Sequence, residues 1–289
     1  MKGRKFIVLN AYKKSLLLRN HLNVSETESF CIFDTIDDKL GIEVRFVDIP
    51  SMEATYIKAD KPSIMVSSLR PPPRRAYNAA HELGHHVFGH GSRLDEVNSE
   101  TFEYDNDELL ADSFAGFFLM PRKLVSCGFG ERGFSPASCS SVQFYTVTCW
   151  LGVGYETLIK HMHTSLNNMI SSERTKILLK DSPKKIRERL TGVENNTNLI
   201  IVDEFWRGKA IDIQVDDIIH ISSILKPDIE GDFIEKVSEN ANGIIFRGIQ
   251  PGVGRISDRK TKWTSYVRVS RKEYVGLSRY RHEEEDDDD

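Results

Sequence analysis

The sequence is short of cysteine, of net charge and of long apolar runs, and each shortage excludes a class of protein. Four cysteines in 289 residues (Cys31, Cys127, Cys139, Cys149) form no C-x-x-C pair and fall far below disulfide-scaffold density. Reduced, packed thiols are the expectation. A formal net charge of −4 argues against an electrostatic grip on nucleic acid by the whole protein. No apolar stretch is long enough to span a bilayer, and Met1-Lys2-Gly3-Arg4-Lys5 leads into no signal-peptide core. A cytoplasmic location without membrane contact is therefore expected. Hydrophobic residues make up 39% of the chain, enough for two domains or one with an appendage.

What the chain does have is His81-Glu82-Leu83-Gly84-His85, which reads H-E-x-x-H. Two histidines four apart share one helical face and can grip one metal ion. Glu82 stands beside them, where a carboxylate can take the proton of an attacking water. Ala76-Tyr77-Asn78-Ala79-Ala80 contains no helix breaker, so the motif is expected within a helix. Five letters also arise by chance on a surface helix, so further ligands decide the matter. Downstream, Leu110, Ala111, Phe114, Ala115 and Phe118 recur at helical spacing until Pro121 stops the helix. Glu108 opens that helix and suits a third metal ligand; Asp112, one turn on, suits an acceptor for a liganding histidine's Nδ1–H. Either acid alone would ordinarily be a solvated side chain. A His/His/carboxylate set takes Zn²⁺ by default, with Mn²⁺ as the alternative.

The block Ala80-His81-Glu82-Leu83-Gly84-His85, then His90, Glu108-x-x-Ala111-Asp112-x-Phe114-Ala115 and Leu119-Met120-Pro121 resembles the ImmA/IrrE metallopeptidases. Those are bacterial and phage proteins, usually intracellular, many of which cleave a helix-turn-helix repressor and so release its genes. Gly41-Ile42-Glu43-Val44 and Ile64-Met65-Val66-Ser67 resemble the family's strands before the active-site helix. Leu151-Gly152-Val153 and Thr157-Leu158 resemble its helix-turn-helix-like segment, so the likeness spans roughly residues 25 to 170. Members often carry Arg-Phe-Thr-Leu-Ala before the first histidine, where this chain has Ala76-Tyr77-Asn78-Ala79-Ala80. No metal ligand is affected. The resemblance implies a protein substrate, a helix-turn-helix repressor or antitoxin.

The fold class expected is α+β: a zincin-like metallopeptidase core (1–125) with a small mixed sheet and an active-site helix. A helix-turn-helix-like segment (126–170), a basic helical linker (171–198), a β-rich C-terminal domain (199–281) and an acidic tail (282–289) follow. Within the core, helices are expected around Tyr12–Leu22 and Cys31–Leu40, and strands at Ile42–Phe46, Tyr56-Ile57 and Ile64–Ser67. An acidic loop, Asp95 to Asp107, joins the two metal-site helices. Residues 123 to 170 begin as loop, in which Cys127 or Cys139 could swing onto the metal. The segment Val142–Leu166 has the cadence of a DNA-binding element, but its second helix offers base edges only Lys160, His161 and His163. A packing role is preferred for it, and a solvated face for the basic linker. Beyond Asn198, short β segments are expected at Leu199–Val202, Ala210–Val215, Ile218–Ser223, Gly243–Gln250, Trp263–Val269 and Tyr274–Leu277.

Together these readings give a peptidase in which His81, His85 and Glu108 hold the metal and Glu82 is the general base and acid. Candidates for the oxyanion donor are His86, His90, Tyr104 and His163, with His90 packing at the helix end and His86 facing away. The competing reading is a DNA-binding or ligand-sensing module with a vestigial metal site.

Overall fold

A computed structural model describes residues 3–91, 93–96, 106–192 and 197–283. The first helix, α1 (Arg4–His21), buries Ile7, Ala11, Ser15 and Arg19, a stripe with a repeat of four. It starts eight residues before the expected Tyr12, because Gly3 in extended backbone opens the helix there. Short α2 (Ile32–Asp34) runs into a π-helical turn (Thr35–Lys39), in place of one regular helix over Cys31–Leu40. Strands β1 (Glu43–Val47), β2 (Met52–Ile57) and β3 (Ser63–Ser67) follow. Then come α3 (Pro72–Phe88), β4 (Arg93–Glu96) and α4 (Asn106–Leu119).

Pro72 and Pro73 at the opening of α3 sacrifice no helical hydrogen bond, since first-turn N–H groups have no intrahelical acceptor. At the far end Gly89, with φ 73°, caps the helix in the left-handed region where only glycine sits without strain. Helix α4 is apolar nearly all round because it lies between α1 and α3. Phe114 and Phe118 are fully buried, and truncating either to alanine costs roughly 3–5 kcal/mol.

Helix α5 (Arg122–Gly130) replaces the loop expected after residue 123. It carries Cys127, whose thiol donates to Glu131 Oε1 at 3.1 Å, while Cys139 is buried against Arg174. All four cysteines are free, and burial pushes the thiols of Cys127 and Cys139 up. Neither belongs to the metal-ligating group among the described residues. Helices α6 (Ser141–Leu151) and α7 (Tyr155–Thr164) are joined by a turn that Gly152 opens at φ 71°. His161 on α7 is buried, hydrogen-bonds the Met120 carbonyl and is pulled down to about 4 by desolvation, so it faces the core. His163 bonds the Ile170 carbonyl, which leaves Lys160 of the three base-edge candidates, and it is paired with Glu156. Helices α8 (Ser172–Leu179) and α9 (Pro183–Thr191) make up the basic stretch, with Ser182 capping α9 ahead of Pro183.

Residues 199–270 are mostly strand: β5 (Leu199–Val202), β6 (Ala210–Gln214), β7 (Ile218–Ser222), β8 (Asp228–Ile229), β9 (Ile234–Asn240), β10 (Gly243–Gly248), β11 (Gly252–Asp258) and β12 (Trp263–Ser270). They form two four-stranded sheets, ordered β5-β7-β10-β9 and β6-β12-β11-β8. Last comes β13 (Gly276–Leu277), which leaves them and pairs antiparallel with β1, Arg45 opposite Leu277. It completes a five-stranded mixed sheet, β13-β1-β3-β2-β4, on which α3 packs. The molecule is thus a mixed α+β structure of helices and three small mixed sheets. Ion pairs tie its parts together: Arg132 to Asp203 at 2.7 Å, and Asp34 to Arg268 at 2.7 Å and Arg281 at 2.6 Å. No helix among the described residues is long and apolar enough to cross a membrane.

One buried acid makes a stability prediction. Asp217 is 7% exposed, accepts from the Gln214 N–H, and is pushed up to about 6 by burial. Its folded pKa lies above the unfolded one, so the native state binds the extra proton between about pH 4 and 6. Stability from this group is present at low pH and lost as pH rises through that window. Asp217→Asn keeps the acceptor and should remove that slope, adding on the order of 1–3 kcal/mol at pH 7.5 and little at pH 4. Urea unfolding at both pH values checks it; an equal effect at the two would show that charge is not the cause.

Candidate metal centre

Two helices meet at a glycine. A Cβ on Gly84 would lie 3.0 Å from the Ala111 Cα, so the fourth residue of H-E-x-x-H lets the backbones of α3 and α4 approach closely. Ala111 falls between Glu108 and Asp112, and the close approach brings both acids onto the histidine face of α3. The Nε2 atoms of His81 and His85 are 3.0 Å apart. Glu108 Oε2 lies 3.2 Å from His81 Nε2, and Oε1 3.6 Å from His85 Nε2. These three ligand atoms lie within 4.8 Å of one another, with both histidines buried.

The far nitrogens are held in turn. His81 Nδ1 is 3.0 Å from Asp112 Oδ1. His85 Nδ1 meets His90 Nδ1 at 2.8 Å, and His90 Nε2 lies 3.4 Å from Asp107 Oδ1. A proton on each Nδ1 leaves both Nε2 lone pairs facing one point, the tautomer that ligates metal. The donor chemistry therefore fits a divalent cation: two neutral imidazoles and a carboxylate. Burial alone would depress His81, but hydrogen bonds to Asp112 and Glu108 outweigh it and carry the imidazole up to about 10. The same histidines hold Glu108 well below the ordinary carboxylate range. Such a site exchanges a proton for a metal ion.

Glu82 is 1% exposed on the same helix. Tyr77 clamps the helix pair by donating to the Asp112 carbonyl at 3.1 Å. Of the oxyanion candidates, His86 faces the sheet, 2.9 Å from the Tyr56 hydroxyl. His163 is engaged at Ile170, and Tyr104 lies outside the described residues, as do residues 97–105 of the expected acidic loop. Asp95, at the start of that loop, lies in strand β4.

His90 is the residue whose place sequence reading misjudged: it braces His85 rather than merely packing. The available signal was Gly89, whose left-handed cap turns the chain back toward the helix. His90→Ala should weaken metal affinity by roughly 10–100-fold while leaving the three ligands in place. Competition against a chromophoric chelator measures this; unchanged affinity would restrict His90 to packing.

Residues 37–126, which hold His81, Glu82, His85, His90, Glu108 and Asp112, match the peptidase M78 family model, described as the IrrE N-terminal-like domain. The fold and site define a metallopeptidase-type domain. The match covers under a third of the chain, and over that stretch the chain is similar to the IrrE N-terminal-like metallopeptidase domain. No curated protein matches the chain. Among solved structures it is similar to a Mycobacterium tuberculosis transcriptional regulator, at 18% identity and a TM-score of 0.35. That match covers 54% of this chain and 47% of the other, so the chain spans about half the length of that protein.

Proposed function

We propose that the chain is a zinc-dependent endopeptidase with a zincin-like core that hydrolyses a peptide bond in a protein substrate. By family resemblance the substrate is a helix-turn-helix repressor or antitoxin, whose loss relieves transcriptional repression. The observation that carries the reading is the convergence of His81, His85 and Glu108 on one point, with the buried Glu82 carboxylate on the same helix. When bound there, Zn²⁺ or Mn²⁺ supplies Lewis acidity that activates water near neutral pH and polarises a carbonyl. Asp112 and His90 fix the tautomers of the two liganding imidazoles. Glu82 accepts the proton of the attacking water and returns it to the leaving amine, so the peptide bond breaks without a free strong base. Burial of Glu82 keeps bulk water from competing for that proton.

The test is proteolysis of purified helix-turn-helix repressors, with a quenched peptide library in parallel and fragments mapped by mass spectrometry. Cleavage that a chelator stops and zinc restores supports the reading. Intact substrates throughout, with metal demonstrably bound, would overturn the proteolytic part of it.

A further inference from the structure

A cavity of about 850 Å³ opens where the start of α3, the end of α6 and the strands β6 and β12 meet. Small-molecule sites run to roughly 300–1,000 Å³. None of His81, His85 and Glu108 lines it, so the site is separate from the metal centre. Its walls include Phe46, Tyr145, Trp150, Phe205 and Trp206, the kind of surface that receives an apolar or planar body.

The charges on those walls do not balance. Asp34 and Asp212 are already taken by Arg268 and Arg281. Arg75 and Arg187 line the same cavity, and the Nε of each is buried without a hydrogen-bond partner. Arg75 is the more telling, because it is only 6% exposed. Asp217 and Glu273 act on it from a distance, yet no carboxylate among the described residues forms an ion pair with it. Among the described residues it rests against the Phe46 ring, 5.2 Å from the guanidinium carbon. A cation–π contact offsets only part of the cost of burying a guanidinium that lacks a hydrogen-bonded counter-charge. Burial lowers Arg75 to about 10, so it stays charged at neutral pH. An arginine fork held at a cavity wall with its donors unspent matches a planar or tetrahedral oxyanion.

We propose that this cavity binds a small organic anion, whose carboxylate or phosphate is held by Arg75 and whose apolar body lies on the aromatic walls. Arg187 supplies a second cation to the same space. Arg75 precedes His81 by six residues on α3, so the anion would sit about 9 Å along the helix that carries the metal ligands. The inference stands whether or not the chain is a peptidase.

Full-length protein is titrated calorimetrically, and its melting followed, with three probes: decanoate, adenosine 5′-monophosphate and inorganic phosphate. Decanoate binding identifies a carboxylate ligand and adenosine monophosphate binding a phosphate monoester. Inorganic phosphate alone should bind at least tenfold more weakly than whichever organic anion binds. Arg75→Gln should weaken that binding at least tenfold and leave the melting temperature of the ligand-free protein equal or higher, because an uncompensated buried charge is removed. Arg75→Lys, which keeps the charge without the fork, should bind with intermediate affinity in a native fold. Failure of both organic anions to bind wild-type protein overturns the proposal. So does undiminished binding by Arg75→Gln, or a fall in its ligand-free melting temperature, which would make Arg75 a structural group.

Discussion

Glu82→Gln should keep a full complement of metal and lose peptide-bond cleavage by roughly 10²–10⁴-fold. Glutamine has the shape of glutamate but cannot accept a proton, and Glu82 is not one of the three converging ligands. The two readouts therefore separate: metal content stays at the wild-type level while fragments of the substrate disappear. Glu82 is buried, so removing its charge should not destabilise the fold. Cleavage at the wild-type rate would mean that another group moves the proton. Loss of metal in this variant would instead place Glu82 among the ligands.

Gly84→Leu should weaken metal binding sharply without altering any ligand. Its Cβ would press on the Ala111 backbone, with the Cα at 3.0 Å and the carbonyl oxygen at 3.2 Å. Backbone cannot rotate away as a flexible side chain can, so α3 and α4 must separate. Overpacking of this kind costs about 1–3 kcal/mol. Glu108 rides on α4 and withdraws from the two histidines, lowering metal affinity on the order of 100-fold. Metal analysis and thermal unfolding on one sample read both effects. A variant that binds metal as tightly as wild type, at unchanged stability, would show that the helix contact does not set the ligand geometry.

The clustering of His81, His85 and Glu108 was readable in advance because it is local. His81, Glu82 and His85 lie within five residues, and Glu108 and Asp112 lie one turn apart on a second helix. Helical periodicity puts such residues on one face before anything is known of the fold. What escaped was of three kinds. Some strands carry little hydrophobic pattern: edge strand β9 exposes nearly every residue after Ile234, and β11, between β12 and β8, begins with two glycines in three positions. Each pairs with the strand that follows it in sequence, so the hairpins are local although their hydrophobic pattern is faint. Long-range pairings were equally hidden. Gly276–Leu277 read as part of the C-terminal β region, yet it pairs with β1, more than two hundred residues earlier. The hold of Asp34 on Arg281 spans a similar separation, and nothing in either segment announces it. Helix α5 read as loop because Gly128 and Gly130 lower its propensity. Packing decides against them: a Cβ on Gly128 would sit 3.1 Å from the Trp150 ring, so the glycine is there for contact with α6.

The most direct test of the metal centre is metal content by mass spectrometry, on wild-type protein purified without added metal and on His81→Ala alongside it. About one zinc or manganese per chain in the wild type, lost in the variant, is the expected result. No metal in the wild type even after zinc is supplied, or equal metal in both proteins, would contradict it.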